Sequence, residues 1–145
     1  MKKFNKLQLF STALLLTAFA MFVLPDISFA KPWQLKVMKV DGEWRVVDAT
    51  DTTKSNVRVK RNDTIEWTAE GSDVYFQFSS DLRFVGESAK DKLDGGYTKY
   101  LPEGKKLKLK VKKDAPLGEE VYAVFVKSEN VFAKGGSPPI IIVVD

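Results

Sequence analysis

From Trp33 to Val144 the apolar residues of this chain recur mostly at every second position, and that period confines it to β-strands. Leu107, Leu109 and Val111 alternate with Lys106, Lys108, Lys110 and Lys112. Val74, Phe76 and Phe78 point one way while Tyr75 and Gln77 point the other, because successive side chains of a strand face opposite sides. Val57 and Val59, like Trp33, Leu35 and Val37, follow the same rule. Asp41-Gly42 reads as a two-residue hairpin turn into Trp44–Val47, and Asn62-Asp63 as a turn into Thr64–Thr68. Pro116-Leu117-Gly118 precedes Val121–Val126, a run apolar on both faces, and Pro138-Pro139 precedes a last strand, Ile140–Val144. Turn signals about every 8–12 residues between such strands predict an all-β antiparallel sandwich or barrel of about 7–8 strands. Only Ser79–Gly104 is long and irregular, with room for a short helical turn around Ser88–Lys92.

The first 30 residues obey a different pattern. Lys2, Lys3 and Lys6 precede an apolar stretch from Leu9 to Leu24, interrupted only by Ser11, Thr12 and Thr17, and Pro25 ends it. Ser28-Phe29-Ala30 puts small residues where a signal peptidase reads them. Residues 1–30 are therefore expected to be a signal peptide helix and residues 31–145 the mature domain. The competing reading is an uncleaved anchor, but a stretch of 16 residues falls short of the roughly 20 that span a bilayer. Export follows, to the periplasm or beyond, with no stable membrane span once the leader is gone. Cleavage removes three lysines and Asp26, so 23 Lys+Arg against 19 Asp+Glu become 20 against 18. That near-neutral balance in an exported domain argues against a nucleic-acid partner.

Missing residue types narrow the chemistry. The chain has no cysteine and no histidine. Disulfides, thiolate metal sites and thiol catalysis are excluded by the first absence. A serine–histidine–aspartate triad and imidazole metal centres are excluded by the second. No group poised near neutral pH remains, so the domain is expected to be no enzyme and to need no cofactor. Ser88-Ala89-Lys90 has a spacing too common to mark a serine–lysine dyad, and nothing fixes two carboxylates at a hydrolytic separation.

Two blocks carry a family resemblance. In Val57–Trp67 a turn with an acidic residue leads into a strand ending in an aromatic, and in Ala115–Val126 a turn leads into an apolar strand. Both blocks resemble those of the cupredoxins, the Greek-key β-sandwiches of plastocyanin and azurin. Gly135–Pro139 leading into Ile140–Val144 fits that family's last loop and strand. The resemblance runs from Asn56 onward and implies a cupredoxin-like Greek-key sandwich. It also implies where copper would be held: a first imidazole near Asp73, a thiolate near Val126, a second imidazole near Glu129 and a thioether near Gly136 or Ser137. Blue copper needs two imidazoles and a thiolate, and none of these positions supplies one. The expected domain is cupredoxin-like without type 1 copper, and no metal residue is assigned.

Other candidates have competing readings. Asp73 and Glu129 converging could hold a hard cation; against this, two carboxylates fall well short of the roughly 6–8 oxygens calcium takes. Asp91–Gly96 has acidic residues before glycines but lacks the alternating ligands of a calcium loop, which leaves an ordinary turn. Six lysines within Lys105–Lys113 could attract anionic glycans or lipids, yet lysines on an edge strand also deter sheet-to-sheet aggregation. Asn62-Asp63-Thr64 matches a glycosylation sequon inside a tight turn. Trp67, Phe76, Phe78 and Phe125 are expected in the core. Trp33, Trp44, Tyr97 and Tyr100 are open to either packing or ligand stacking.

The reading is an exported, non-catalytic binding or accessory domain with a protein or glycan partner. The alternative is a carbohydrate-binding module using Tyr97, Tyr100 and Trp44. Loops on a rigid scaffold concentrate binding residues, so Asp73, Tyr97, Tyr100 and Glu129 are the candidate partner-binding positions.

Overall fold

The computed structural model describes residues 31–85, 93–135 and 138–145, and within them every regular element is a β-strand. In chain order these are β1 (Trp33–Val40), β2 (Glu43–Asp48), β3 (Val57–Lys60), β4 (Thr64–Ala69), β5 (Val74–Gln77) and β6 (Thr98–Leu101). They continue with β7 (Lys106–Lys110), β8 (Gly118–Val121), β9 (Ala123–Val126), β10 (Val131–Phe132) and β11 (Ile140–Val144). The expected signal peptide, the helical turn at 88–92 and Gly136–Ser137 lie outside the described residues.

Three sheets form, ordered β2-β1-β4-β7, β10-β9-β5-β6 and β3-β11-β8. The expected hairpin turn is present: Asp41 and Gly42 both have positive φ, 50° and 83°, as a tight right-twisted hairpin requires. Asn62 also adopts the left-handed region, at φ 69°, and Asp63 accepts from the Lys60 N–H and the Trp33 indole, so the sequon does serve a turn.

The strand count exceeds the expected seven or eight, and one reason is instructive. Val121–Val126 is not one strand. It divides at Tyr122 into β8, paired with β11, and β9, paired with β5. A run apolar on both faces can serve two sheets because either face finds a core. Two pairings are also parallel, β1 with β4 and β3 with β11, where the expectation was antiparallel throughout. Both follow from the chain crossing between sheets before it returns beside an earlier strand.

Trp67 sits at the centre, fully buried, with Phe76, Phe78 and Tyr122 each edge-on to it at 5.8 Å. Its indole N–H donates to the Tyr122 hydroxyl at 3.0 Å, which satisfies two buried polar groups at once. Burial pushes the Tyr122 phenol well above its ordinary range. Trp67, Phe76 and Phe78 therefore stand where the alternation placed them. Phe125 does not: it is only half-buried, on the outer face of its sheet.

Candidate functional site: an aromatic sheet face and its loop end

Three loops meet at one end of the sandwich, residues 70–73, 102–105 and 127–130, beside the end of β1. Backbone bonds tie them together, Glu70 to Val37 at 2.9 Å, Gly104 to Ala69 at 2.8 Å and Lys127 to Asp73 at 3.1 Å. The Ser128 N–H donates to the Ser72 hydroxyl at 3.1 Å. Beneath them the Trp44 ring lies against the 70–73 turn, so close that a Cβ on Gly71 would stand 3.3 Å from it. Trp44 is 7% exposed. Its candidacy as a sugar-stacking residue is thus withdrawn; it is the floor of the loop end.

Asp73 is the hub. It accepts from the Tyr100 hydroxyl at 2.7 Å, from the Glu103 N–H at 3.0 Å and from the Lys127 ammonium at 3.4 Å. These donors, the Glu103 N–H foremost, hold its carboxyl below the ordinary value, while the same carboxylate raises Tyr100 and Lys127. A shallow pocket of about 370 Å³ opens here, lined by Gly71, Ser72, Asp73, Glu103, Lys127 and Ser128. Glu129 is committed elsewhere, to the Lys39 ammonium at 2.6 Å, which is the main cause of its lowered pKa. Each of the two carboxylates thus has its own lysine. Among the described residues no three Asp, Glu, Cys or His side chains gather as a metal site.

Of the positions that the cupredoxin resemblance singles out, Asp73 and Val126 lie on neighbouring stretches, since Val74 pairs with Val126 and the Asp73 carbonyl accepts from the Lys127 N–H. Glu129 is held by Lys39, and Gly136–Ser137 lie outside the described residues. Several solved structures are similar to this chain. An amicyanin variant in its reduced Cu(I) form matches 78% of this chain and 82% of its own at 10% identity and a TM-score of 0.41. A copper-containing nitrite reductase from Thermus scotoductus SA-01 matches 79% of this chain and 23% of its own, at 12% identity and a TM-score of 0.42. Lac15 from a marine microbial metagenome matches 78% and 32%, at 14% identity and a TM-score of 0.42. No family model and no curated protein matches the chain. Likenesses this loose carry no inference about what the chain binds.

Its own outer surface is more informative. Tyr100, Tyr75, Phe125 and Phe132 occupy one register row across β6, β5, β9 and β10. Their centroids follow at 4.9 Å, 6.5 Å and 5.4 Å, so four rings form a continuous line on the solvent face. Phe132 is 65% exposed and Tyr75 44%. The neighbouring row on the same face, Thr98, Gln77 and Ala123, is polar or small. Asp73 and Lys127 border the Tyr100 end, with the Lys127 ammonium 5.8 Å from the Tyr100 ring centre.

The candidate residues therefore divide. Asp73 and Tyr100 bond directly, and Glu129 stands on the loop that carries Lys127. Tyr97 is at the opposite end of β6, where its carbonyl accepts from the Phe78 N–H. Tyr75 was not singled out from sequence as a binding residue, and Lys127 and Phe132 were reached only through the expectation that the segment Lys127–Ser137 gathers at the binding end. Tyr75 was legible as outward-facing; Phe132 falls beyond a hairpin whose strand is only two residues long, too short for any period to show.

Proposed function

We propose that this chain is an exported, non-catalytic binding or accessory domain, cupredoxin-like and without type 1 copper, whose binding surface is the outer face of the β10-β9-β5-β6 sheet. The observation that carries the reading is the line of four rings. Large apolar side chains shed water when covered, and soluble sheets ordinarily present polar residues outward. Four aromatics in one outward row are not needed by the core, which is complete around Trp67 without them. The absence of histidine and cysteine supports a copper-free, non-catalytic role. The leader pattern of residues 1–30 supports export. Among the described residues no helix is long and apolar enough to cross a membrane.

The test is retention. Wild-type protein and a Tyr75→Ser/Phe132→Ser variant, both immobilised, are exposed to the soluble and wall fractions of the exporting compartment. The wild type should retain a partner that the variant loses while unfolding at the same temperature. Equal retention by both would place the binding surface elsewhere.

A further inference from the structure

We infer that the pocket where β1 begins and β2 ends binds one neutral pyranose ring, at a site separate from the aromatic face. The cavity measures about 240 Å³ and is lined by Lys31, Pro32, Trp33, Gln34, Asp48 and Thr50. Sites for drug-sized ligands run to about 300–1,000 Å³, so this one suits a single ring better than an extended chain. It lies at the opposite end of β1 from the loops around Asp73.

Trp33 supplies the apolar wall. It is 41% exposed, whereas Trp44 and Trp67 are buried. Its indole N–H donates to Asp63 at 2.9 Å, so the ring is anchored by its edge, and among the described residues no second ring packs against it. Asp48 supplies an acceptor. Its Oδ1 accepts from the Thr50 N–H at 2.7 Å, the Thr50 hydroxyl at 2.6 Å and the Asp51 N–H at 3.1 Å. Those bonds fix the carboxylate and leave Oδ2 without a partner among the described residues. The Thr50 hydroxyl foremost holds the carboxyl below its ordinary value, so it is ionised at neutral pH. The Gln34 amide and the Lys31 ammonium likewise have no side-chain partner among the described residues.

The mixture of signs selects the ligand class. An ammonium ion would suit the Trp33 ring and Asp48 but meets the charge of Lys31. A phosphate or carboxylate would suit Lys31 but meets the charge of Asp48. Neutral hydroxyls avoid both conflicts, because each donates to a carboxylate or an amide oxygen and accepts from an ammonium or an amide N–H. A pyranose combines them with what Trp33 needs: one C–H face to lie on an aromatic ring, and hydroxyls around the rim to reach Asp48, Gln34 and Lys31.

The experiment follows the indole N–H signals of the exported protein, purified after expression with its own leader. Glucose, galactose, mannose and N-acetylglucosamine are each added to millimolar concentrations. The chain has three tryptophans, so each signal is a control for the others. At least one sugar should move the Trp33 signal saturably while those of Trp44 and Trp67 stay in place. Choline and inorganic phosphate, the cationic and anionic probes, should bind at least about tenfold more weakly. Trp33→Ala, followed through the amide signals of Gln34 and Thr50, should weaken the sugar about tenfold or more. Asp48→Asn, which keeps an oxygen for Thr50, should do the same. Gln34→Ala removes no side-chain hydrogen bond of the described structure, so it should weaken the sugar with unfolding temperature unchanged. If no sugar moves the Trp33 signal, or if binding is indifferent to Asp48→Asn and Gln34→Ala, the site is overturned. Tighter binding of choline or phosphate overturns the neutral-ring assignment. The Tyr75→Ser/Phe132→Ser variant should bind the sugar as the wild type does; loss of the sugar there would put it on the aromatic face and overturn the separate site.

Discussion

Tyr100 donates its phenolic proton to Asp73 at 2.7 Å, and through that bond the aromatic sheet face is fastened to the loop end. The same carboxylate holds Lys127 and the Glu103 N–H, so one charge positions residues from β6, the loop before β7 and the loop after β9.

The pH dependence follows from the directions of the shifts. Asp73 is depressed below 3.8 in the folded protein, so its contribution is complete above that value and disappears as pH falls through the lower, folded pKa. Lys127 and Tyr100 are raised above 10.5 and 10.0, so their contributions are present below those values and are lost as pH rises through the higher, folded ones. Asp73→Asn should therefore lower the unfolding temperature at neutral pH and make no difference in strong acid. Tyr100→Phe should raise the Asp73 pKa, read by carboxyl chemical shift against pH. An Asp73 titration unmoved by Tyr100→Phe would mean that the hydrogen bond is not formed in solution.

The core predicts a contrast with the surface. Trp67→Ala should destabilise by about 3–5 kcal/mol, because a fully buried ring is replaced by a cavity. Tyr122→Phe should cost roughly 1–3 kcal/mol by leaving the Trp67 N–H buried without a partner. Chemical denaturation measures both, and a Tyr122→Phe variant as stable as wild type would show that water replaces the hydroxyl.

The lysine row separates by partner. Strand β7 is the edge of its sheet, as a row of lysines leads one to expect. Lys106 lies 2.8 Å and Lys108 3.5 Å from Glu66, a carboxylate within a residue only 8% exposed. Lys110→Gln should change stability by under about 0.5 kcal/mol, the surface norm. Lys106→Gln combined with Lys108→Gln should cost about 1 kcal/mol or more, since the Glu66 carboxylate then loses both cations. Equal effects at all three positions would show Glu66 to be hydrated and independent of them.

Copper should give no intense visible band when titrated into the protein. Blue absorption comes from thiolate-to-copper charge transfer in a site completed by imidazoles, and the chain holds neither group. Weak carboxylate binding would be colourless on that scale; a strong band would overturn the copper-free reading.

The fold was largely legible because its local rules are strong. The Asp41-Gly42 hairpin, the Asn62-Asp63 turn and the burial of Trp67, Phe76 and Phe78 each follow from two-residue periodicity or turn chemistry. Tyr122 shows where such rules stop. Nothing within Val121–Val126 marks the residue at which the chain leaves one sheet for another, because that depends on partners as distant as Ile140 and Val74. Phe125 failed for the same reason: in a run apolar on both faces, period cannot say which face meets solvent. The site was half legible. Asp73 stood out through its place in a family pattern, whereas the row that joins Tyr100 to Phe132 exists only through the pairing of four strands from three separate stretches of chain.

Amide and side-chain chemical shifts recorded while the retained partner is added test the central claim most directly. Perturbations should centre on Tyr75, Gln77, Tyr100, Phe125 and Phe132 and extend to Asp73 and Lys127. The lysine edge at β7 and the distant surface pocket lined by Trp33, Gln34, Asp48 and Thr50 should stay unmoved. Shifts concentrated on either of those surfaces, with the aromatic row silent, would contradict the account.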